Sequence, residues 1–270
     1  TLGSRAPVSL GSVAAVVTAL LVFAMPTERA PLVRRLAARR SSIGEIPVRI
    51  GAYGGREVVA IVTGMGTGLA AQGVAAALDA LEREGRTVER VLVVGICGGV
   101  DDTPIGTLVS PASVVNSNTG ASFGPTAPGP SADGRGVLWT TDLLTPPAEV
   151  RTLAAERGVV GLDMETAAVA EVCADRGLPW AVFRAISDRP DDAVDEDVLA
   201  MSNQDGSPNV GNVIRYVVRH PDRVPHLARM GRNVRLATTT AVDAALASIS
   251  MPLTPSPLPP HSPPPPANMR

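Results

Sequence analysis

Lysine is absent from the 270-residue chain, whose 24 basic residues are all arginine. A Schiff-base or pyridoxal enzyme needs a lysine amine and a P-loop needs its phosphate-binding lysine, so both classes are excluded. Aromatic residues are scarce, at 3%, and the formal net charge is only −2. No basic block interleaved with aromatics occurs, so neither nucleic acid nor a membrane surface is the expected partner. Histidine is confined to His220, His226 and His261, away from every glycine-rich or acidic motif. That distribution argues against a zinc site or a Ser-His-Asp triad. Cys97 and Cys173 each sit in apolar surroundings with no second cysteine nearby, the setting of two reduced core thiols in a cytoplasmic protein.

Long hydrophobic runs are also few. "VAAVVTALLVFAM" (13–25) is too short for a membrane span, and no small-x-small cleavage site follows it, so it is expected to be a buried strand. Hydrophobic residues nonetheless make up 45% of the chain, enough for one full core. The organisation expected is an extension over 1–15, a domain over 16–250 and a proline-rich tail over 251–270. The tail, with "PLTPSPLPPHSPPPP", cannot form a helix or a sheet ladder.

Strand-like runs alternate with helical ones, the pattern of an α/β sheet covered on both faces. "LLVFAM" (20–25) precedes a helix predicted over Thr27–Arg40. Residues 46–50 and "REVVAIVTG" (56–64) form a hairpin pair around "GAYGG". An Ala-rich helix follows over 68–85, then a central strand, "RVLVVGICGGV" (90–100). Further strands are read at 106–116 and 137–142, a helix at 163–177 and a last strand, "PWAVFRAISD", at 179–188. Beyond it the pattern is helical from Asn212 to Ile249, broken at Pro221.

Gly66-x-Gly68-x-x-Ala71 has the outline of a dinucleotide fingerprint. The strand after it ends in glycines instead of the acid that would hold a ribose, which counts against a nicotinamide enzyme. What remains is a glycine turn that lets backbone N–H groups approach a ligand at a helix start. "GICGG" closes a central strand in the same way. In an open α/β sheet, ligands sit beyond the carboxyl ends of strands, and four segments occupy that position: Met25–Glu28, Gly64–Gly68, Gly95–Gly99 and Ser187–Asp188. Asp163 and Glu165 precede a helix, where one acid serves as a cap. Asp188 ends a strand that should be buried, and a carboxyl group at an apolar rim has a raised pKa, as a general acid requires.

In order, "FAMPTE", "VVAIVTGMGTGLAAQ", "VVGICGGVDDTPIGTLVSP", "DMETAAVAEVC" and "FRAISD" resemble the nucleoside phosphorylase and nucleosidase superfamily over about residues 20–200. Within it they are similar to the 5′-methylthioadenosine/S-adenosylhomocysteine nucleosidases. The resemblance implies a single-domain three-layer αβα sandwich with a central mixed, twisted sheet. It implies that Asp188 protonates the purine while Ser187 orients it, and that Glu28, three residues after Met25, activates the attacking water. Glu165 would grip the ribose hydroxyls with Met164 packed on the sugar. Asp163, Gly66 and the backbone at Cys97 and Gly98 would complete the substrate site. It also implies a purine nucleoside substrate, no metal or organic cofactor, and a homodimer.

The chemistry is coherent, because an N-glycosidic bond breaks through a sugar cation that needs an acid for the base, nearby negative charge and an activated nucleophile. Val93 and Ile96 stand where phosphorylases of the superfamily carry the arginine and serine that hold phosphate, which points to hydrolysis. Leu144 stands where these nucleosidases stack an aromatic ring on adenine, and Asp163 where they carry Glu. The segment 213–233 resembles the tail of hopanoid-associated members, which makes an adenosylated lipid an alternative substrate. Purine nucleoside phosphorolysis and non-catalytic nucleoside binding are further alternatives.

Overall fold

The run read as a buried strand is β1 (Val17–Phe23), buried from Thr18 to Phe23. The protein is described by a computed structural model over residues 17–131, 134–192 and 224–253. The expectations for 1–15, the break at Pro221, His220, His261 and the proline tail from Thr254 lie outside those residues. After β1 the order is α1 (Pro26–Arg35), β2 (Arg39–Ile43), β3 (Ile46–Tyr53), β4 (Arg56–Val62) and α2 (Thr67–Arg83). β5 (Thr87–Gly98), β6 (Leu108–Val109), β7 (Ser113–Asn116), β8 (Ser122–Phe123) and β9 (Val137–Thr140) follow. The remainder is α3 (Pro147–Arg157), β10 (Val159–Asp163), α4 (Thr166–Asp175), β11 (Trp180–Asp188) and α5 (Val224–Ile249).

One mixed sheet runs in the order β2-β3-β4-β1-β5-β10-β9-β7-β8, with β11 paired to β5 and β6. β4, β1, β5 and β11 are mutually parallel neighbours, so their carboxyl ends share one rim. β5 divides there. Its length pairs with β11, while Gly98 at its end pairs with Leu162 of β10. Helices cover both faces, which gives the three-layer sandwich. α2 and α4 pack into one core with Val59, Val91 and Val182, and α1 and α5 into the other with Leu21, Leu92 and Phe183.

Several elements differ from the sequence reading for local reasons. The first helix ends at Arg35 instead of Arg40, because the chain reverses through Ala37, at φ 46°, into the edge hairpin β2–β3. The run 106–116 is two short strands separated by Pro111, a residue that cannot donate to a ladder. Asp163 is the last residue of β10 and not the first of a helix, and α4 begins only at Thr166. α3, started by Pro146 and Pro147 and closed by Gly158 in the left-handed region, has no counterpart in the sequence reading. Cys97 and Cys173 are buried free thiols, as expected.

Candidate active site

Three chain segments bring charge to the shared rim, and Arg184 of β11 ties the acids of the other two together. This arginine is 1% exposed inside a strand buried from Trp180 to Ser187, so its charge requires buried partners. Its Nη2 lies 2.8 Å from Glu165 Oε2 and 2.8 Å from Asp163 Oδ2. Nη1 lies 3.5 Å from Glu28 Oε1, and Nε is 3.4 Å from the Thr166 hydroxyl. Burial works against the Arg184 charge, but Asp163, Glu165 and Glu28 together outweigh it and raise its pKa.

Each acid is positioned by the start of a helix. Glu28 is in the first turn of α1, where Ala24 and Met25 donate backbone N–H groups to Oε2 at 2.9 and 3.0 Å. The Ile96 N–H donates to Oε1 at 3.0 Å. Burial raises the Glu28 pKa, offset in part by Arg184 and these three amides. Gly95 makes the approach possible, since a Cβ there would overlap Glu28 Oε1 and Arg184 Nη1. Asp163 accepts the Thr140 hydroxyl at 2.6 Å, the Thr166 N–H at 3.0 Å and the Thr166 hydroxyl. It therefore caps α4 from β10, although Glu165 is the residue at the N-cap position. The Glu165 side chain crosses instead to the turn before α2, where Oε1 accepts the Gly66 N–H at 3.0 Å. Burial pushes the Glu165 carboxyl up to about 7, with Arg184 opposing and the Asp163 and Glu28 charges adding.

Asp188 closes β11 beside Gly98, its register partner on β5. The Ser187 hydroxyl is 2.5 Å from Asp188 Oδ1 and 3.3 Å from the Cys97 carbonyl oxygen. Oδ2 faces the side of Gly98 that a Cβ would otherwise approach to 3.4 Å. Burial raises the Asp188 pKa, with Ser187 opposing and Asp192 adding. The Cys97 thiol is also pushed up by burial, with Arg184 opposing and the Asp163 and Asp188 charges adding. Its Sγ abuts Gly161, where an added Cβ would stand 3.2 Å away.

Of the sequence candidates, Glu28, Asp163 and Glu165 converge on Arg184, Gly66 binds Glu165, and Met25 binds Glu28 through its backbone. Ser187, Asp188, Cys97 and Gly98 group at the adjoining strand ends. Met164 is half-buried between Asp163 and Glu165. Leu144 is 55% exposed, on the loop after β9. Sequence reasoning missed Arg184, for which the available signal was an arginine inside "WAVFRAIS". Among the described residues no group of His, Cys, Asp and Glu is arranged to hold a metal ion, and no helix is long and apolar enough to cross a membrane.

A mixed sheet with helices on both faces and an arginine–carboxylate cluster at the ends of its parallel strands defines an α/β protein with a charged rim. The phosphorylase superfamily model matches residues 18–134 and 124–220. The chain belongs to that superfamily. No curated protein matches it in sequence. Solved structures that share the fold include the Helicobacter pylori 5′-methylthioadenosine/S-adenosyl homocysteine nucleosidase, at 15% identity and a TM-score of 0.62, covering 87% of this chain and 98% of that one. The futalosine hydrolase of Helicobacter pylori is similar at 15% identity and a TM-score of 0.61, covering 87% and 97%. A 5′-methylthioadenosine/S-adenosylhomocysteine nucleosidase from S. pneumoniae reaches 17% identity and a TM-score of 0.61, covering 86% and 98%.

Proposed function

We propose that the protein hydrolyses the N-glycosidic bond of 5′-substituted adenine nucleosides. The observation that carries this reading is the convergence of Glu28 and Glu165 on Arg184, four residues before Asp188 on the same strand. Those four residues span about 13 Å, so separate side chains serve the sugar and the leaving base. Asp188, whose pKa burial raises, donates a proton to the purine. Ser187 occupies its Oδ1 and leaves Oδ2, next to Gly98, to carry the proton. Glu165 receives the sugar hydroxyls, and its charge, with that of Glu28, stabilises the developing sugar cation.

Glu28 activates water. Its carboxylate has about four acceptor positions, three taken by backbone amides and the fourth by the 3.5 Å contact to Arg184. That contact is the longest of the four, and a water entering between Arg184 Nη1 and Glu28 Oε1 would replace it with two good hydrogen bonds. A raised pKa brings Glu28 closer to the range where a general base is effective. The absence of an arginine or serine at Val93 and Ile96 supports water over phosphate as the acceptor.

Incubation with methylthioadenosine, adenosylhomocysteine and adenosine, with and without phosphate, should release adenine at a rate that does not depend on phosphate. No adenine from any of them in either condition would overturn the reading. The saturated Glu28 carboxylate favours one other reading, nucleoside binding without turnover. Calorimetric binding of adenosine without adenine release, unaltered in Asp188→Asn, would support it.

A further inference from the structure

The turn between β4 and α2 presents two successive amides to two different carboxylates. Gly64 and Gly66 have φ of 93° and 98°, a left-handed region open to glycine, and this swings neighbouring N–H groups apart. Gly66 donates to Glu165 Oε1 at 3.0 Å, and Thr67 donates to Asp142 Oδ1 at 2.7 Å. The Thr67 hydroxyl donates to Asp142 Oδ2 at 2.7 Å, and Asn118 Nδ2 donates to the same oxygen at 2.7 Å. α2 has no side-chain cap of its own and no acid in its first turn, so Asp142 caps it from 75 residues away. Asp142 is well anchored on its own side. Thr140, two residues earlier, orients Asp163 at 2.6 Å, and the Thr141 N–H donates to the Asp163 carbonyl at 2.9 Å. Asn118 is fixed by its N–H to Asn116 Oδ1 at 2.9 Å. Burial works to raise the Asp142 pKa, but the bonds from Thr67 and Asn118 outweigh it and lower it.

We propose that Asp142 is a positioning residue for Glu165. By clamping the start of α2 to the β7–β8 turn and the end of β9, it aims the Gly66 amide at Oε1 and leaves Oε2 to Arg184. Asp142 itself is exposed and stands outside the Arg184 cluster. The consequence for substrates rests on the nucleosidase reading. If Glu165 receives the sugar hydroxyls, loss of Asp142 penalises ribonucleosides and spares analogues that lack both hydroxyls.

Asp142→Ala and the charge-swapped pair Asp142→Asn with Asn118→Asp test this. In the pair, the carboxamide oxygen introduced at position 142 still accepts from Thr67, while its NH₂ group donates to the carboxylate introduced at position 118. The first readout, residue-resolved amide exchange at Gly66, needs no turnover. Asp142→Ala should lose about tenfold in Gly66 protection, the scale of one carboxylate hydrogen bond, with β5 amides unchanged, and the pair should recover most of it. The second readout is adenine release. KM for adenosine should rise about tenfold in Asp142→Ala with a much smaller change in kcat, while 2′,3′-dideoxyadenosine is cleaved as by the unaltered protein.

Unchanged Gly66 exchange in Asp142→Ala would overturn the proposal, as would an equal loss on both substrates. No cleavage by the unaltered protein, together with lost Gly66 protection in the variant, would refute the nucleosidase reading and leave the positioning of Glu165 standing. If Asp142→Ala does not fold, Asn118→Ala removes one of the three bonds and must still weaken Gly66 protection.

Discussion

Three acids crowd one buried arginine, and for Glu165 burial makes ionisation costly. Its carboxyl moves from 4.5 to about 7, so between those two pH values the folded state holds a proton that the unfolded chain releases. Below pH 4.5 the group is neutral in both states and costs nothing. As pH rises towards 7 the unfolded chain ionises first, and stability on the order of 3 kcal/mol is lost across that window. Glu165→Gln should therefore flatten the fall in Tm between about pH 5 and pH 8, measured by calorimetry. A slope from Glu28 and Asp188, both raised by burial, should remain. A Tm profile identical to that of the unaltered protein would mean that Glu165 is ionised throughout. Asp188 carries the catalytic prediction. Asp188→Asn keeps the shape and the Ser187 contact but cannot donate a carboxyl proton, and adenine release should fall by about 10²–10⁴-fold. In the unaltered protein the rate should decline as pH rises through the raised Asp188 pKa, and that limb should vanish in the variant.

At the scale of elements, the strands work because glycines sit where side chains from elsewhere must enter. Gly95 lies within β5, and an added Cβ would overlap Glu28 and Arg184, both buried and held by several bonds. Gly95→Ala should cost about 1–3 kcal/mol from overpacking and more if the ion pair parts. Gly161→Ala meets the Cys97 thiol most closely, at 3.2 Å, and the thiol can shift by a few tenths of an ångström, so it should cost less. Urea unfolding of the two variants ranks them, and equal costs would mean that the Glu28–Arg184 contact yields easily. The same logic explains what could be read from sequence. Strand-like apolar runs announced β1, β4, β5 and β11, and their four carboxyl-end segments do share a rim. "RRSSI" offered no apolar alternation, since β2 is an edge strand exposed at Arg39 and Arg40. Only Asp163 of "VVGLD" falls inside the helix read over 163–177, and Val159–Leu162 are too short an apolar run to stand out as the strand they form. Arg184 escaped because a strand pattern ranks residues by hydropathy, and only the demand for buried counter-charge singles out an arginine there.

For the molecule as a whole, the rim depends on α5, which covers the face of the sheet behind it. Ala237, Ala241, Val242, Ala245, Leu246 and Ile249 of α5 join Phe23, Leu32 and Phe183 in one core, backing the strand that carries Arg184 and Asp188 and the helix that carries Glu28. Two arginines fasten this helix to the rest. Arg35 of α1 meets Asp243 in a two-bond fork at 2.8 and 2.6 Å, but both side chains are well exposed. Arg90 of β5 is fully buried. Its Nη1 donates to the Ser248 carbonyl at 2.9 Å, and its Nη2 to the Met251 carbonyl at 3.0 Å and to Glu89 at 2.7 Å. It thus places a cation at the carboxyl end of α5, on the Ser248 carbonyl, which also accepts the Met251 N–H at 3.0 Å, and on the Met251 carbonyl just beyond the helix. Arg35→Ala should change stability by about 1 kcal/mol or less. Arg90→Ala removes a buried cation together with its bonds to the Ser248 and Met251 carbonyls and to Glu89, so it should cost about 3–5 kcal/mol. Urea unfolding gives both numbers, and amide exchange along α5 locates the effect, which should be concentrated in its last turns for Arg90→Ala. A larger loss for Arg35→Ala would mean that α5 is held from its α1 side, and that the buried arginine serves β5 rather than the helix.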